Sequence, residues 1–162
     1  MYDVNTIRSD FPILSRQVNG KPLTYLDNGA SAQKPQVVID AITRAYSEEY
    51  ANVHRGLHFL SNLATEKYES VRGVIARFLN AGDENTIVLN SGTTEGINLV
   101  AYSWAMPRFE PGDEIVLSVM EHHANIVPWH FLRERQGAVL KWVDTAPDGS
   151  LDPQAVIDAI GP

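Results

Sequence analysis

The second half of the sequence alternates short apolar runs with segments whose apolar residues recur at helical spacing. Continuous apolar runs predict strands in TIVLN (86–90), PGDEIVLSV (111–119) and AVLKWVDT (138–145), and a predicted helix follows each of them. Strands without a polar face are typical of sheets covered on both sides. Strand–helix alternation predicts parallel βαβ units with right-handed crossovers, so the sequence favours an α/β fold.

Residues with known end preferences mark the predicted helices of this half. Asn125 is the expected N-cap of a helix over 126–136, and Pro128 falls in its first turn, where no amide hydrogen bond is lost. Gly137 predicts a left-handed C-cap for the same helix. Asp152, followed by a proline, predicts the start of the last helix.

The first half reads as irregular segments and two helices. Residues 1–35 contain turn signals around a short predicted strand, LTYLD (23–27), and Pro35 then starts a helix. A loop over 51–61 follows, with Ser61 predicted to cap a second helix that ends at NAGD (80–83). The second helix carries an apolar stripe at helical spacing, formed by Ala64, Tyr68, Val71, Ile75 and Phe78.

Composition excludes several classes of function. The 162 residues carry a formal net charge of −7, which argues against nonspecific binding to nucleic acid or to an anionic membrane. No cysteine occurs, so disulfides, thiolate metal sites and a cysteine nucleophile are excluded within this chain. No signal peptide and no run long enough to span a membrane is recognised. The sequence therefore predicts a soluble, cytoplasmic protein.

The turn in LNSGTTEGIN (89–98) is the strongest candidate for a binding site. Gly92 allows the backbone to approach a ligand closely, and Thr93 and Thr94 add hydroxyl groups to the free amides of a helix start. Phosphate is the usual occupant of such a site, although neither a Walker loop nor a Gly-x-Gly-x-x-Gly pattern is present. Simple capping of the helix by Ser91 and Thr93 is an equally open interpretation.

The stretch MEHHAN (120–125) follows the next predicted strand. In a parallel sheet it lies beside the preceding turn, at the edge where ligands bind, so a histidine here can stack on a planar ligand. Metal binding is the competing interpretation for the five histidines. It is not favoured, because the neighbours His122 and His123 are expected to point in different directions and no His-Glu-x-x-His pattern occurs. His58 and His130 are expected to serve local hydrogen bonding.

Four motifs in register resemble one known family. YLDNGASAQKP (25–35), NVHRGLHFLS (52–61), TTEGINLVA (93–101) and MEHHANIVPW (120–129) resemble the N-terminal part of cysteine desulfurases in the class V aminotransferase family. The sulfur-mobilisation type, also described as selenocysteine lyases, is the most similar group, and the resemblance covers essentially the whole chain.

The resemblance implies a fold and a domain arrangement. The chain is expected to be the N-terminal portion of a fold-type I transferase dependent on pyridoxal 5′-phosphate (PLP), with parallel βαβ units of the large cofactor-binding domain preceded by an N-terminal arm and helices. Residues 1–35 would form the arm and short strand. Residues 36–162 would form a partial PLP-binding domain, truncated before its lysine-bearing half.

The resemblance also implies site residues. Gly92, Thr93 and Thr94 match the turn that holds the cofactor phosphate, and His122 matches a catalytic histidine that stacks on the pyridine ring. His123 matches a neighbour without a ligand role, and Asn125 a residue that orders the turn. No metal ligand is implied. Ala30 and His54 match residues of the substrate pocket. The loop that carries His54 can belong to the dimer partner.

Two parts of the PLP machinery are missing from this sequence. PLP enzymes need a Schiff-base lysine and a carboxylate near the pyridine nitrogen, which in this family lie beyond the matched segment. The lysines present, which do not have the family's context, are Lys21, Lys34, Lys67 and Lys141. The chain is therefore expected to be an inactive N-terminal fragment.

The expected parent is a homodimeric enzyme that converts L-cysteine, or L-selenocysteine, to L-alanine. Its persulfide would pass sulfur to an acceptor protein for iron–sulfur cluster assembly, without nucleic-acid or membrane partners. The alternatives are another class V enzyme (selenocysteine lyase, kynureninase or epimerase) and a non-catalytic binding or dimerisation module.

Overall fold

The structure, a computed structural model, describes residues 3–161. Met1, Tyr2 and Pro162, which belong to the predicted ranges 1–35 and 36–162, lie outside the described residues. The described chain falls into two compact units that divide between Ile87 and Val88.

The first unit consists mainly of helices. Its described elements are α1 (Val4–Ser9), a 3-10 turn (Pro12–Ser15), β1 (Gln17–Val18), β2 (Lys21–Pro22), α2 (Gln36–Arg44), a π turn (Ala45–Glu49), α3 (Phe59–Leu79) and a second 3-10 turn (Glu84–Thr86). Both predicted helices are present. The left-handed residue Asn80 (φ 55°) ends α3, which confirms the predicted end at NAGD.

The strand predicted at 23–27 is wrong, because the strand pair lies earlier in the chain. Strands β1 and β2 form an antiparallel hairpin, in which Val18 lies opposite Lys21. The turn residues Asn19 and Gly20 both have positive φ angles, 52° and 73°, as a tight primed turn requires. The Leu23 amide still donates to the Arg16 carbonyl at 2.9 Å, but no described strand includes or pairs with residues 23–27.

Ser61 does not cap α3 as predicted. The cap is His58, whose Nδ1 accepts a hydrogen bond from the Ser61 amide at 3.4 Å. Ser61 lies inside the first turn and is fully buried. Its hydroxyl donates to the Asn52 carbonyl at 2.6 Å and accepts from the Gly56 amide at 3.0 Å. Ser61 thus anchors the preceding loop to the helix.

The second unit is built around one parallel strand pair. Its described elements are α4 (Thr93–Leu99), a π turn (Val100–Ala105), β3 (Glu114–Ser118), a 3-10 turn (His123–Asn125), α5 (Val127–Gln136), β4 (Val139–Val143) and α6 (Pro153–Ala159). Strands β3 and β4 are parallel, with Glu114 opposite Val139 and Ser118 opposite Val143. Because α5 connects them, the segment is a βαβ unit, which confirms the α/β prediction.

The core of the second unit is small. Four buried residues form it: Ala101, Ala105, Leu132 and Ala138. Phe109, Ile115 and Trp129 pack against this cluster from its margin. Leu132 is the largest fully buried apolar side chain among the residues that the structure describes. Helix α5 and the π turn Val100–Ala105 thus pack against each other through one leucine and several alanines.

The first of the three predicted strands is not formed. Residues 84–86 make a 3-10 turn instead, and no strand in the described part of the chain pairs with residues 86–90. Ile87 is buried, whereas Val88 is 61% exposed. A strand needs a hydrogen-bonded neighbour, and an apolar run alone does not supply one.

The helix-end predictions of the second unit hold with one exception. Gly137 has a left-handed φ of 75°, Pro128 lies in the first turn of α5, and Asp152 accepts from the Gln154 amide at 2.9 Å. The exception is Asn125. The α5 cap is Ile126, without a side-chain hydrogen bond, because the Asn125 side chain is engaged elsewhere.

None of the helices within residues 3–161 combines the length and the apolar character needed to cross a membrane.

Candidate active site

The turn before α4 has an open backbone. Gly92 is the N-cap, with φ 142° and ψ 178°, and a side chain added at this position would meet no other atom within 4 Å. This φ is one that residues with side chains rarely adopt, so the turn requires glycine. The open space beside Gly92 lets a ligand approach the backbone.

Helix capping does not account for the hydroxyl groups of this turn. No side chain caps α4, so the proposed capping by Ser91 and Thr93 is wrong. Two other side chains bond the amides that precede the helix. The Asn90 Oδ1 accepts from the Gly92 amide at 2.9 Å, and the Glu95 carboxylate accepts from the Ser91 amide at 2.7 Å. The hydroxyl groups at the start of α4 are therefore not committed to a cap.

The same turn borders an open cavity of about 390 Å³. Its lining consists of Ser91, Gly92, Thr93, Thr94, Glu95 and Asn98. Within residues 3–161, the Thr93 and Thr94 hydroxyls make no side-chain hydrogen bond, and both residues are exposed. These hydroxyls and the first amides of α4 are available donors for an anion.

One charge opposes an anion here. The Ser91 hydroxyl and, next, the Ser91 amide hold the pKa of the Glu95 carboxyl below its ordinary value. Glu95 is therefore negatively charged at neutral pH, at the margin of the cavity. An anion bound to this turn must be held by enough donors to offset that repulsion.

His122 lies four residues beyond the end of β3. It is exposed, and its extended backbone (φ −65°, ψ 142°) precedes the 3-10 turn His123–Asn125. Its Nδ1 accepts a hydrogen bond from the Ala124 amide at 3.2 Å. Because Nδ1 is the acceptor, this contact leaves the ring proton on Nε2. The tautomer and the orientation of the ring are thereby defined.

The expectation that His122 and His123 point in different directions is wrong. Their ring centroids are 4.0 Å apart, with an angle of 39° between the ring planes. The change from extended backbone at His122 to 3-10 backbone at His123 brings the two side chains to the same side. His123 therefore covers part of the His122 ring.

The tertiary structure brings the two predicted site segments together. Helix α4 contacts the 3-10 turn His123–Asn125, within the second unit. The helix that begins at Thr93 and the turn that follows His122 are therefore neighbours within the second unit.

A hydrogen-bonded chain of side chains supports the turn that carries His122. The Ser118 hydroxyl donates to Glu121 Oε1 at 2.9 Å, and the Asn125 amide group donates to Glu121 Oε2 at 2.9 Å. The Trp129 indole N–H in turn donates to Asn125 Oδ1 at 3.0 Å. Asn125 and, next, Ser118 hold the pKa of Glu121 below its ordinary value.

Sequence reasoning assigned no role to Glu121, Ser118 or Trp129. The available signal was the spacing of four between Glu121, Asn125 and Trp129, which places side chains on one face of a helical turn. The ordering of the turn by Asn125 was expected from the resemblance only.

The two residues expected in a substrate pocket belong to the first unit. Ala30 is exposed in a turn, where its amide donates to the Asp27 carbonyl at 3.2 Å. His54 is also exposed, and its Nε2 lies 2.6 Å from Glu69 Oε1. No group of three or more possible metal ligands occurs among residues 3–161.

Comparison with known proteins identifies the family. The model of the aminotransferase class-V family matches residues 24–162. A cysteine desulfurase of Salmonella newport (strain SL254) is 55% identical over 150 residues, which are 93% of this chain and 37% of that protein. The chain thus spans little more than a third of the length of the curated relatives it matches.

Solved structures agree with this assignment. The apo structure of a cysteine desulfurase from Thermococcus onnurineus NA1 has a TM-score of 0.83 and 35% sequence identity, covering 96% of this chain and 37% of that one. A C-DES mutant with glycine covalently linked to its PLP cofactor has a TM-score of 0.72 and 25% identity, covering 96% and 38%. The α/β unit, the open turn and these similarities together show that the chain belongs to the aminotransferase class-V family and corresponds to the N-terminal portion of its cysteine desulfurases.

Proposed function

We propose that this chain supplies the phosphate cradle and the ring platform for PLP in a cysteine desulfurase. One observation carries the proposal: helix α4, which begins at the open Gly92–Thr94 turn, contacts the 3-10 turn that follows His122. PLP has an anionic phosphate and a flat ring, so it needs an anion site and an aromatic surface next to each other.

The proposed phosphate site consists of Gly92, Thr93 and Thr94. Gly92 leaves open space beside the backbone, and the two threonine hydroxyls have no other side-chain partner among the described residues. Amides at a helix start and hydroxyl groups both donate to phosphate oxygens. The fit of these residues to the phosphate supports the assignment of the cofactor to this turn.

The proposed ring platform is His122. Its ring is exposed, and the Ala124 amide holds Nδ1, so that Nε2 carries the ring proton. A ring in this state offers a flat surface for stacking and a hydrogen-bond donor at Nε2. We propose that His122 binds the pyridine ring of PLP and holds a proton near the substrate. PLP, when bound, withdraws electrons from the amino-acid substrate so that its bonds break more readily.

The other groups required for desulfuration are not provided by the residues described above. Lys141 lies in β4, 2.6 Å from Glu114, and Lys67 lies 2.5 Å from Glu49, so both ammonium groups are paired. No cysteine is present to carry a persulfide. We therefore propose that this polypeptide alone is inactive and that the Schiff-base lysine and the thiol belong to other residues of the active enzyme.

The similarity to cysteine desulfurases supports a proposal for the whole enzyme. Its substrate would be L-cysteine or L-selenocysteine, its product L-alanine, and its sulfur would pass to an acceptor protein for iron–sulfur cluster assembly. We propose a cytoplasmic homodimer in which Ala30 and His54 contribute to the substrate pocket. Residues 1–35 would form an arm, and residues 36–162 part of the cofactor-binding domain.

A second candidate function is a binding module without catalytic activity. The absence of cysteine is equally compatible with a non-catalytic module that binds a phosphorylated ligand at the same turn, or that serves in dimerisation. Such a module would keep Thr93 and Thr94 and bind inorganic phosphate without discriminating in favour of PLP.

Titration of the purified chain with PLP tests the proposal. We expect noncovalent binding that inorganic phosphate competes away, with the T93V/T94V double variant binding about tenfold more weakly because two hydrogen bonds to an anion are lost. Thr145→Val, in the same unit, is the matched control and should bind like the unmodified chain. Far-UV circular dichroism verifies that each variant is folded.

Two results would contradict this assignment. If the T93V/T94V variant binds PLP with unchanged affinity, the phosphate does not bind at this turn. Borohydride reduction that labels one lysine cleanly and stoichiometrically would show that the chain does contain its own Schiff-base residue. Equal affinity for phosphate and PLP would favour the binding module.

A further inference from the structure

The backbone of His54 has an unusual conformation. Its φ is 69°, one of only three positive values among the described non-glycine residues, and the other two are asparagines. Histidine adopts the left-handed region only at a cost in free energy, so neighbouring contacts must maintain it. Such strained residues cluster at functional sites.

Helix α3 holds this backbone in place. The His54 amide donates to Thr65 Oγ1 at 2.9 Å, and the Thr65 hydroxyl donates to the Ser61 carbonyl at 2.7 Å. Ser61 is fully buried and also bonds the Asn52 carbonyl and the Gly56 amide of the same loop. The loop on both sides of His54 is therefore tied to the first turns of α3.

The His54 ring is held by two further residues of α3. Its Nε2 lies 2.6 Å from Glu69 Oε1, and the ring meets the edge of Tyr68 with centroids 5.7 Å apart and an angle of 85°. A carboxylate only accepts hydrogen bonds, so His54 Nε2 is the donor in this contact. Among residues 3–161, no group donates to His54 Nδ1.

Glu69 is itself restrained. The Arg72 Nε donates to Glu69 Oε2 at 3.1 Å, and the Arg72 guanidinium lies 5.7 Å from the centre of the Tyr68 ring. Arg72 also donates to the Ile87 carbonyl. Both carboxylate oxygens of Glu69 are thus occupied, one by an imidazole and one by a guanidinium that other contacts hold in position.

We propose that Glu69 is a positioning residue for His54, which orients the imidazole so that Nδ1 is free to form a hydrogen bond with a polar group of the amino-acid substrate. The inference rests on the proposed function for the assignment of His54 to the substrate pocket. It adds the residue that sets the orientation of the His54 ring. The contact is partly solvated, with side chains 52% and 43% exposed, so its role is orientation more than stability.

Nuclear magnetic resonance of the isotope-labelled chain tests this inference without a cofactor. In the unmodified chain we expect cross-relaxation between the His54 and Tyr68 ring protons and a hydrogen-exchange-protected Nε2–H. In Glu69→Ala we expect loss of the ring contacts and exchange of Nε2–H on the order of threefold faster, the range of a partly exposed ion pair. Glu69→Gln should restore the ring contacts, because its amide oxygen still accepts from Nε2–H.

Glu66→Ala is the matched control, since Glu66 lies on α3 and is exposed. It should leave the His54 signals unchanged, and all three variants should unfold at a similar temperature. Unchanged His54 ring contacts in Glu69→Ala would overturn the inference, and so would failure of Glu69→Gln to restore them.

The outcome is separable from that of the proposed function. Loss of PLP binding with an intact His54–Glu69 contact would refute the proposed function alone. Normal PLP binding with a His54 ring that is mobile in the unmodified chain would refute this inference alone.

Discussion

The Glu95 carboxylate accepts the amide hydrogen of Ser91 at 2.7 Å, back across the start of the helix to which Glu95 belongs. The contact orders the turn that precedes α4. It also puts a negative charge beside the site proposed for a phosphate. The turn therefore combines a well-defined backbone with an electrostatic cost for anion binding.

Removing this charge is predicted to strengthen anion binding. Glu95→Gln keeps an oxygen that can accept from the Ser91 amide but removes the repulsion, so we expect PLP and inorganic phosphate to bind about three- to tenfold more tightly at neutral pH. Absorbance or fluorescence titration at low ionic strength measures the change. Glu110→Gln, an exposed substitution in the same unit, should have little effect. Equal or weaker binding by Glu95→Gln would show that the carboxylate supports the site.

The turn that carries His122 is predicted to loosen in acid. Hydrogen bonds from Asn125 and Ser118 lower the folded-state pKa of Glu121 below its ordinary value of 4.5. A lowered pKa means that the network contributes stability above about pH 4.5 and loses it as the pH falls through the folded-state pKa. Carboxyl carbon resonances, followed with pH, should show a Glu121 midpoint below 4.5.

Asn125→Ala is predicted to raise that midpoint, since Asn125 is the largest cause of the shift. Asn98→Ala is the control, because the Asn98 side chain donates to the Thr94 carbonyl and not to Glu121. A Glu121 midpoint that does not move in Asn125→Ala would contradict the network.

A methyl group at position 56 is predicted to destabilise the first unit. A Cβ on Gly56 would lie 2.4 Å from both the Cβ and the Oγ of buried Ser61, so the loop or the helix must shift. We expect Gly56→Ala to lower the free energy of unfolding by about 1–3 kcal/mol. Denaturant unfolding followed by circular dichroism measures it. Gly82→Ala, where a Cβ meets no atom within 4 Å, should change stability little, and a similar effect of both would refute the contact.

Leu132 is predicted to dominate the core of the second unit. It is fully buried among small residues, so Leu132→Ala should cost about 2–5 kcal/mol through lost burial and a residual cavity. Loss of the near-ultraviolet signal of Trp129, which packs at this core, would report the change. Val127→Ala on the same helix removes a side chain that is 45% exposed, and a cost as large as that of Leu132→Ala would contradict the assignment of the core.

Local signals in the sequence predicted the helices of this protein well. Gly137, Pro128 and Asp152 mark helix ends correctly because each acts on backbone atoms only a few residues away. Strands were predicted less well, since neither TIVLN (86–90) nor LTYLD (23–27) forms a strand in the described structure. A strand depends on hydrogen bonds to a distant segment, and an apolar run does not specify that partner.

Part of the candidate site was accessible from sequence in the same way. Gly92, Thr93 and Thr94 are consecutive, and His122 follows the next strand in the chain, so both segments could be identified from residue order alone. The supporting contacts were not accessible. The His54–Glu69 pair spans 15 residues, which no local pattern predicts, and the spacing of four between Glu121 and Asn125 indicates a shared face but not which groups form a hydrogen bond.

Local sequence signals predicted that α5 ends at Gly137, that α6 begins after Asp152, that a glycine opens the turn at position 92, and that no thiol is available in this chain. The hydrogen-bond partners of the polar side chains depend on the tertiary packing. Ser61 and Asn125 both have the chemistry of helix caps, yet Ser61 binds the loop at Asn52 and Gly56, and Asn125 binds Glu121. A side chain bonds whichever group packing brings to about 3 Å, and that choice is made by the fold.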